Sequence, residues 1–417
     1  MKPFFYKADG ILSPSRLGLF SLFIGSLTFF SLPHLADALP IHEKAAPVLK
    51  WQPTKQQPRN PFKKPGFFDD LANSGSDQLL RLNHIEHGKF VVPFQNGLKT
   101  IYTLDPFLQY KMKAFFKKNT VPYGVFIAMN PKSGKILAFV EHSSQEPGAK
   151  HLALRATYPA ASIFKVVTAS AALEEKQARP QTLLRSAQTT LAEAFARSDN
   201  SAFSDVARRY LDVKTLVSYA NRFQFNRKIP FEMPVQVSRV RTESRQSSLG
   251  NLAAGFGDVG LSPLHAALIG SAIANDGKMI APCLVDRVIG PSEKTVFECT
   301  PKVLATAISS ETARQIRQMM GMTITEGTGR KAFRTAAYDP ALREITVGGK
   351  TGSLTGTNPR GKVSWFIGMA PLDHPEIVIS ALVINNQSRR WKIKSGDAAK
   401  EGFRFYFQSK KRLPVDS

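Results

Sequence analysis

The sequence predicts an α+β fold in which an antiparallel sheet is flanked by helices, because strands occur at both ends of the chain after residue 100. Strand-like segments lie at 124–130, 136–141, 344–347, 363–369 and 376–384. Helical segments are predicted at 106–118, 161–176, 190–210, 263–275 and 310–324. The later helices are grouped between two sets of strands instead of alternating with single strands. This grouping favours an antiparallel sheet with a helical region over βαβ repeats.

The spacing of apolar residues and the nature of the turns identify each element. The helices repeat apolar residues at helical spacing. The first two strands are apolar runs joined by the turn residues Pro131 to Gly134, so they are predicted to form a hairpin. With 417 residues and 43% hydrophobic content, the chain can bury a substantial core, as one large domain or two smaller ones. Disorder of the whole chain is excluded.

Residues 1–38 carry the pattern of an export signal. Basic residues at its start are followed by the uncharged run LGLFSLFIGSLTFFSL at 17–32, and Ala36 and Ala38 form a small-x-small cleavage site. The run is slightly long for a signal peptide and slightly short for a relaxed bilayer span. We therefore expect either cleavage after Ala38 or a retained membrane anchor, with the rest of the chain exported.

Residues 39–99 are predicted to be a basic, proline-rich linker followed by a small N-terminal element. Between 41 and 65 the composition shifts to Pro, Gln and Lys, with prolines too closely spaced for a helix or a central strand. Residues 67–99 have no dominant pattern. The domain that carries the chemistry is therefore placed at 100–417.

The formal net charge of +24 indicates an anionic partner. Nucleic acid is the usual partner of such a chain, but export argues against it. Anionic envelope polymers or lipid head groups are the expected partners, and a generic positive surface is the alternative.

Cys283 and Cys299 are candidates for a disulfide in an exported protein. The segments that contain them are predicted strands joined by a turn at 290–293, which would bring the two cysteines opposite each other. Two buried free thiols are the alternative.

The stretch YPAASIFKVVTAS places Ser162 and Lys165 one helical turn apart in an apolar setting. Burial disfavours an ammonium group, so this lysine is a candidate base for the serine hydroxyl. A surface lysine beside an N-cap serine is the alternative reading of this motif alone.

Two further motifs follow in order: Ser198-Asp199-Asn200, and Lys350-Thr351-Gly352-Ser353 at the end of a predicted strand. Either one alone is common. The ordered set SxxK, SDN and KTG is shared by class A β-lactamases and penicillin-binding proteins.

From about 100 to 381 the sequence resembles the transpeptidase domain of penicillin-binding proteins, closest to the class B type with a reduced N-terminal region. TIYTLDPFLQ, GVFIAMNPKSGKILAFV, GFGDVGLSPLHAALIG, TEGTGR and VGGKTGSLTGTNPRGKVSWFIGMAP carry the resemblance, with the three motifs. The interval between Ser162 and Ser198 is short for the family, so part of the helical subdomain is expected to be missing. Ser262 stands where the family often has threonine.

The resemblance implies a serine DD-transpeptidase that cross-links peptidoglycan stem peptides and is acylated by β-lactams. It makes Ser162 the nucleophile, Lys165 the favoured base, Ser198 a proton relay and Lys350 a second cation of the network.

For the substrate, the resemblance implies that Asn200 binds an amide and that Thr351, together with Lys350, binds the terminal carboxylate. Backbone N–H groups of Ser162 and Ser353 would form an oxyanion hole, and Gly352 would leave the approach open. No metal or cofactor is expected, and a membrane glycan polymerase is the implied partner. The reaction is placed in the periplasm or on the outer face of the cytoplasmic membrane.

Three other functions share these motifs. A DD-carboxypeptidase passes the acyl group to water and is poorly separated by sequence. A class A β-lactamase needs a water-activating glutamate; IPFEMPVQVSRV offers Glu232 without the expected asparagine. A catalytically idle penicillin-binding sensor or scaffold is the third.

Overall fold

The computed structural model describes residues 84–93, 97–184, 188–242, 248–386 and 393–412. The predicted signal or anchor at 1–38, and the linker up to residue 83, lie outside these ranges. Within them, no helix combines the length and apolarity needed to cross a membrane.

The predicted α+β class is confirmed by a central sheet of five strands, in which all neighbours are antiparallel. Its order is β14 (Gly348–Thr357), β15 (Arg360–Ala370), β16 (Ile377–Asn385), β4 (Tyr123–Met129) and β5 (Ile136–Ser143). Strand β16, IVISALVIN, is buried along its whole length, so it lacks the alternation of a half-exposed strand.

The strand predicted at 344–347 is wrong, because β14 begins at Gly348. The predicted strand stops before the paired glycines Gly348 and Gly349, yet both lie inside β14. A Cβ on Gly348 would fall 2.4 Å from Leu372, and a Cβ on Gly349 would fall 2.3 Å from the Phe366 ring. The glycines therefore permit close packing within the sheet.

Helices cover both faces of the sheet. On one face, α1 (Pro106–Lys118) and the C-terminal helix, Ser395–Arg412, join a cluster that includes Phe116, Phe126 and Phe403. On the other face lies the helix Pro263–Ala274, which is buried all round and correspondingly apolar. Ser262 caps this helix by accepting a hydrogen bond from the backbone N–H of His265, at 3.2 Å.

Two predicted helices are interrupted in the structure. The segment at 161–176 starts as a 3₁₀ turn, Ala161–Ile163, and continues as α2, Lys165–Glu174. The segment at 190–210 splits into α3 (Leu191–Arg197) and α4 (Asn200–Tyr210). Ser198 is left-handed, with φ of 60°, and the Asp199 carboxylate caps α4 by accepting from Ala202 N at 2.9 Å. The SDN motif is therefore a break between helices.

The remaining elements complete the helical region, a second sheet and three two-stranded sheets. The helices are α5 (Val213–Arg222), α6 (Leu249–Ala254), α7 (Pro263–Ala274), α8 (Ser310–Thr325), α9 (Arg330–Phe333) and α10 (Ser395–Arg412), with a 3₁₀ turn at Ala336–Tyr338. The short strands are β1 (Ile85–Glu86), β2 (Lys89–Pro93), β3 (Lys99–Tyr102), β6 (Tyr158–Pro159), β7 (Leu183–Leu184), β8 (Thr189–Thr190), β9 (Gly260–Leu261), β10 (Lys278–Ile280), β11 (Val285–Ile289), β12 (Thr295–Glu298) and β13 (Val303–Thr306).

The second sheet has the order β1-β2-β3-β11-β12 and joins strands on both sides of residue 100. Strands β11 and β12 form a hairpin across 290–293, with Arg287 opposite Glu298. The structure joins Cys283 and Cys299 in a disulfide, with their Cα atoms 6.5 Å apart. The bridge ties the residues on either side of the hairpin together.

Candidate active site

Ser162 lies in a tight turn between β6 and α2 that leaves the side chain only 8% exposed. Ala161 before it has a φ of 48°, in the left-handed region that L-residues rarely adopt. Gly255, which ends α6 with a φ of 83°, packs directly behind this turn. A Cβ on Gly255 would lie 1.9 Å from the carbonyl oxygen of Ala161. Gly255 opens the segment GFGDVGLSPLHAALIG, but the sequence patterns assigned it no role, although a glycine after a short helix is a typical C-cap.

Lys165 is fully buried, and its Nζ lies 3.2 Å from the Oγ of Ser162. The same nitrogen donates to the carbonyl oxygen of Ser198 at 2.7 Å and to Oδ1 of Asn200 at 2.6 Å. Burial lowers the pKa of Lys165 to about 7, against an opposing attraction from the Asp199 carboxylate. A large fraction of this lysine is therefore neutral near pH 7, and the neutral amine can accept a proton.

This pKa predicts the pH dependence of acylation. If neutral Lys165 is the base, the second-order rate of acylation by penicillin should rise through pH 7 and level off about one to two pH units above it. The sign follows because deprotonation of the lysine creates the active form. Stopped-flow measurement with a fluorescent penicillin between about pH 5.5 and 9 would check it. A rate that falls across this range would contradict a neutral lysine as base.

Ser198 connects the two lysines of the site. Its Oγ accepts from Lys350 Nζ at 2.9 Å and from Lys165 Nζ at 3.4 Å. Lys350 is also fully buried; burial lowers its pKa well below the usual value, and the neighbouring Lys165 lowers it further. Two ammonium groups sharing one serine repel each other, so the pair favours the loss of a proton.

Strand β14 forms the wall of the cleft opposite Ser162. A Cβ on Gly352 would lie 3.4 Å from the backbone nitrogen of Ser162, which shows how closely the strand passes this residue. The Thr351 hydroxyl shares a hydrogen bond with the hydroxyl of Thr328, from the TEGTGR loop. Ser353 follows on the same wall. The strand thus presents backbone and hydroxyl groups beside the serine.

The cleft has a volume of about 770 Å³ and contains six of the eight predicted catalytic and substrate-binding residues in its lining. These are Ser162, Ser198, Asn200, Thr351, Gly352 and Ser353. Lys165 and Lys350 lie behind it and reach Ser198. The cleft is also lined by Arg197, Thr328, Lys331 and Trp365, to which the sequence patterns gave no role. Trp365 is opposite Gly352 on β15 and donates to the carbonyl oxygen of Pro159 at 2.8 Å.

Glu232, Cys283 and Cys299 do not line the cleft. Oε1 of Glu232 accepts hydrogen bonds from the backbone nitrogens of Leu284 and Val285, at 2.7 and 3.0 Å, and this side chain does not line the cleft. Among the described cleft residues, Asp397 is the one carboxylate, and its Oδ2 accepts from the backbone nitrogen of Lys394 at the start of α10. In the described ranges, no group of three or more His, Cys, Asp or Glu residues is arranged to hold a metal ion.

Similarity to known proteins identifies the class to which this fold and cleft belong. Residues 124–404 match the penicillin-binding protein transpeptidase domain, so the chain belongs to this family and the predicted resemblance is confirmed. It is 30% identical to a peptidoglycan D,D-transpeptidase PbpA of Mycolicibacterium smegmatis over 319 residues, covering 64% of this chain and 62% of that protein.

Two other similar proteins support this family assignment. The stage V sporulation protein D of Bacillus subtilis is 27% identical, over 70% of this chain and 50% of its own length. The solved D,D-transpeptidase domain of a peptidoglycan glycosyltransferase from Eggerthella lenta is 26% identical, with a TM-score of 0.63, covering 75% of this chain and 84% of that structure. The chain thus spans between half and about three-fifths of the two curated relatives.

Proposed function

We propose that this protein is a serine DD-transpeptidase that cross-links peptidoglycan stem peptides. The observation that carries the proposal is the contact between Ser162 Oγ and Lys165 Nζ, at 3.2 Å in a cleft large enough for a peptide end. A buried lysine with a lowered pKa is the group that can remove the serine proton. The relatives named as D,D-transpeptidases support the same reaction.

Acylation begins when Lys165 takes the proton of Ser162 and Oγ attacks the carbonyl between the two terminal D-alanines. The tetrahedral oxyanion accepts hydrogen bonds from the backbone N–H groups of Ser162 and Ser353, which are worth about 3–4 kcal/mol each in such sites. The C–N bond then breaks, and Ser198 relays a proton to the leaving amine. The product is an ester on Ser162 and free D-alanine.

Substrate recognition uses the other cleft residues. Because Oδ1 of Asn200 is held by Lys165, its Nδ2 group can be turned to the substrate's amide carbonyl. The hydroxyls of Thr351 and Ser353 and the charge of the lysine pair attract the terminal carboxylate. The absent side chain at Gly352 leaves space in front of the Ser162 N–H.

Hydrolytic alternatives find less support in the structure. Glu232, the glutamate that a class A β-lactamase would require, is tied to the backbone at the start of β11. Asp397 is engaged as a cap of α10. Neither carboxylate is therefore held ready to activate water against the ester, and transfer to an amine is favoured over fast hydrolysis. The DD-carboxypeptidase reaction remains the alternative that the experiment must separate.

We also propose that the reaction takes place outside the cytoplasmic membrane. The export pattern at 1–38 and the disulfide between Cys283 and Cys299 support this, since disulfides persist in oxidising compartments. A membrane glycan polymerase is the expected partner, with the N-terminal segment as an anchor if it is not cleaved.

The test is to incubate the exported chain with a fluorescent penicillin, follow the intact mass with time and locate the adduct by peptide mapping. We expect a stable adduct on Ser162, and a stem-peptide donor should then yield a cross-linked amide when an amine acceptor is present. An adduct that disappears within minutes as hydrolysed drug would indicate a β-lactamase. A donor converted only to its hydrolysed product would indicate a carboxypeptidase, and no adduct would indicate an idle binding module.

A further inference from the structure

Three exposed cations line the catalytic cleft: Arg197, Lys331 and Lys394. Arg197 and Lys331 flank the loop residue Thr328, whose hydroxyl is hydrogen-bonded to that of Thr351. Lys394 precedes the start of α10, where Asp397 and the hydroxyl pair Ser364 and Ser395, which hydrogen-bond each other at 2.8 Å, also line the cleft. Neither Arg197 nor Lys331 has a role in the acylation chemistry described above.

Arg197 and Lys331 belong to two segments that pack tightly together next to Thr351. Arg197 is the last residue of α3, and Lys331 lies in α9 just after the TEGTGR loop. The backbone nitrogen of Thr328 in that loop donates to the carbonyl oxygen of Ala196 at 3.0 Å. A Cβ on Gly327 would lie 2.1 Å from the same oxygen. The TEGTGR loop and the end of α3 therefore form one packed unit beside Thr351, which we call the roof.

The chemistry of the reaction indicates which substrate group lies next to Thr351, Arg197 and Lys331. The leaving D-alanine carries a carboxylate on the carbon next to its amine, and Thr351 and Lys350 attract that carboxylate. Transfer to an acceptor is the reverse of acylation with a new amine, so by microscopic reversibility the acceptor nitrogen takes the place of the leaving nitrogen. Groups on the acceptor's adjacent carbon then lie where the leaving carboxylate lay.

We propose that Arg197 and Lys331 select the acyl acceptor, and that the preferred acceptor is an amine whose own carbon bears a carboxylate. This rests on the transpeptidase function proposed above. Such an amine is found at the second centre of a diamino dicarboxylic acid, whereas a lysine side-chain amine has no carboxylate beside it. The acceptor nitrogen attacks the acyl ester, the new amide C–N bond forms, the C–Oγ bond breaks, and the amine proton returns to Ser162 through Ser198.

The expected preference is a difference in charge-assisted hydrogen bonding. An acceptor carboxylate under the roof gains contacts with Thr351 and two cations, and a guanidinium is well suited to bind it. An acceptor without the carboxylate leaves those groups to water. A site built for a polar group discriminates strongly against an analogue that lacks it.

The experiment measures how the acyl-enzyme is divided between two acceptors. The enzyme is acylated with a thioester analogue of an acyl-D-alanyl donor in the presence of D-alanine or D-alaninamide, compared at equal free-amine concentration. Mass spectrometry counts the amide formed per donor consumed, so the readout does not depend on the rate of acylation. We expect D-alanine to be favoured by about tenfold, and Arg197→Gln with Lys331→Gln to bring the ratio to about one.

The matched control is Arg208→Gln with Lys214→Gln, which removes the same charge from exposed positions on α4 and α5 that do not line the cleft. This pair should keep the wild-type ratio. Equal use of both amines by the wild type, or an unchanged preference in the Arg197 and Lys331 variant, would overturn the proposal. A donor that yields only hydrolysis product overturns it together with the transpeptidase function, and is recognised by the missing amide.

Discussion

Replacing Lys165 with methionine is expected to slow acylation of Ser162 by about 10³-fold, the size typical of losing a general base. Lys165 Nζ is within hydrogen-bonding reach of the serine hydroxyl, and its pKa of about 7 makes the neutral amine available. Methionine keeps a flexible side chain of similar length in the buried space but has no basic nitrogen. Ser162 then has to lose its proton without this base.

The control is Lys214→Met, which changes an exposed lysine on α5. It should leave the acylation rate within about twofold of wild type, since substitutions of exposed residues away from the site have small effects. The second-order rate is measured with fluorescent penicillin, and a thermal melt establishes that both variants are folded. A folded Lys165→Met protein that acylates at the wild-type rate, with the same pH profile, would show that another group removes the proton.

Much of the fold could be predicted from the sequence because its elements have strong local patterns. The helix at 106–118 and the hairpin around 131–134 are found where apolar spacing and turn residues indicated them. The prediction failed at 344–347, where the glycines permit close packing instead of ending a strand. That distinction depends on Leu372 and Phe366, which approach only in the folded sheet.

The candidate site was also predicted only in part from the sequence. The motifs supplied Ser162, Lys165, Ser198 and Lys350, and the structure joins them in one row of contacts: Ser162 Oγ to Lys165 Nζ, Lys165 Nζ to Ser198 Oγ, and Ser198 Oγ to Lys350 Nζ. Sequence spacing did not reveal that Ser198 breaks a helix with a left-handed backbone. It also gave no signal for Arg197 or Lys331, because exposed basic residues are frequent throughout a chain of charge +24. Their position beside Thr351 depends on contacts between distant segments.

The buried lysines also explain why the turn that holds Ser162 must be rigid. A base acts efficiently only when the donor and acceptor atoms are held in the correct geometry, and a shift of about 1 Å can cost about 10²-fold in rate. The left-handed Ala161 is not stable by itself, so surrounding contacts must maintain it. Gly255 provides one of these contacts, because it lies so close to the Ala161 carbonyl oxygen that there is no room for a Cβ between them.

Replacing Gly255 with alanine is therefore expected to damage both stability and activity. The new Cβ would sit 1.9 Å from the Ala161 carbonyl oxygen, far inside contact distance, on a residue whose φ is 83°. A strained backbone position of this kind costs about 1–3 kcal/mol, and displacement of the Ala161 turn adds to that cost. Because Ser162 follows Ala161 directly, the acylation rate should fall by about 10²-fold or more in the protein that remains folded.

Gly88→Ala is the matched control, since Gly88 also has a positive φ, of 72°, but a Cβ there would meet nothing within 4 Å. It measures the backbone cost without the collision and should leave acylation at the wild-type rate. Urea unfolding gives the free energy of unfolding of each variant, and penicillin labelling gives the acylation rate. If Gly255→Ala costs no more stability than Gly88→Ala and acylates normally, the contact with Ala161 does not position Ser162. A larger stability loss with normal acylation would make the contact structural only.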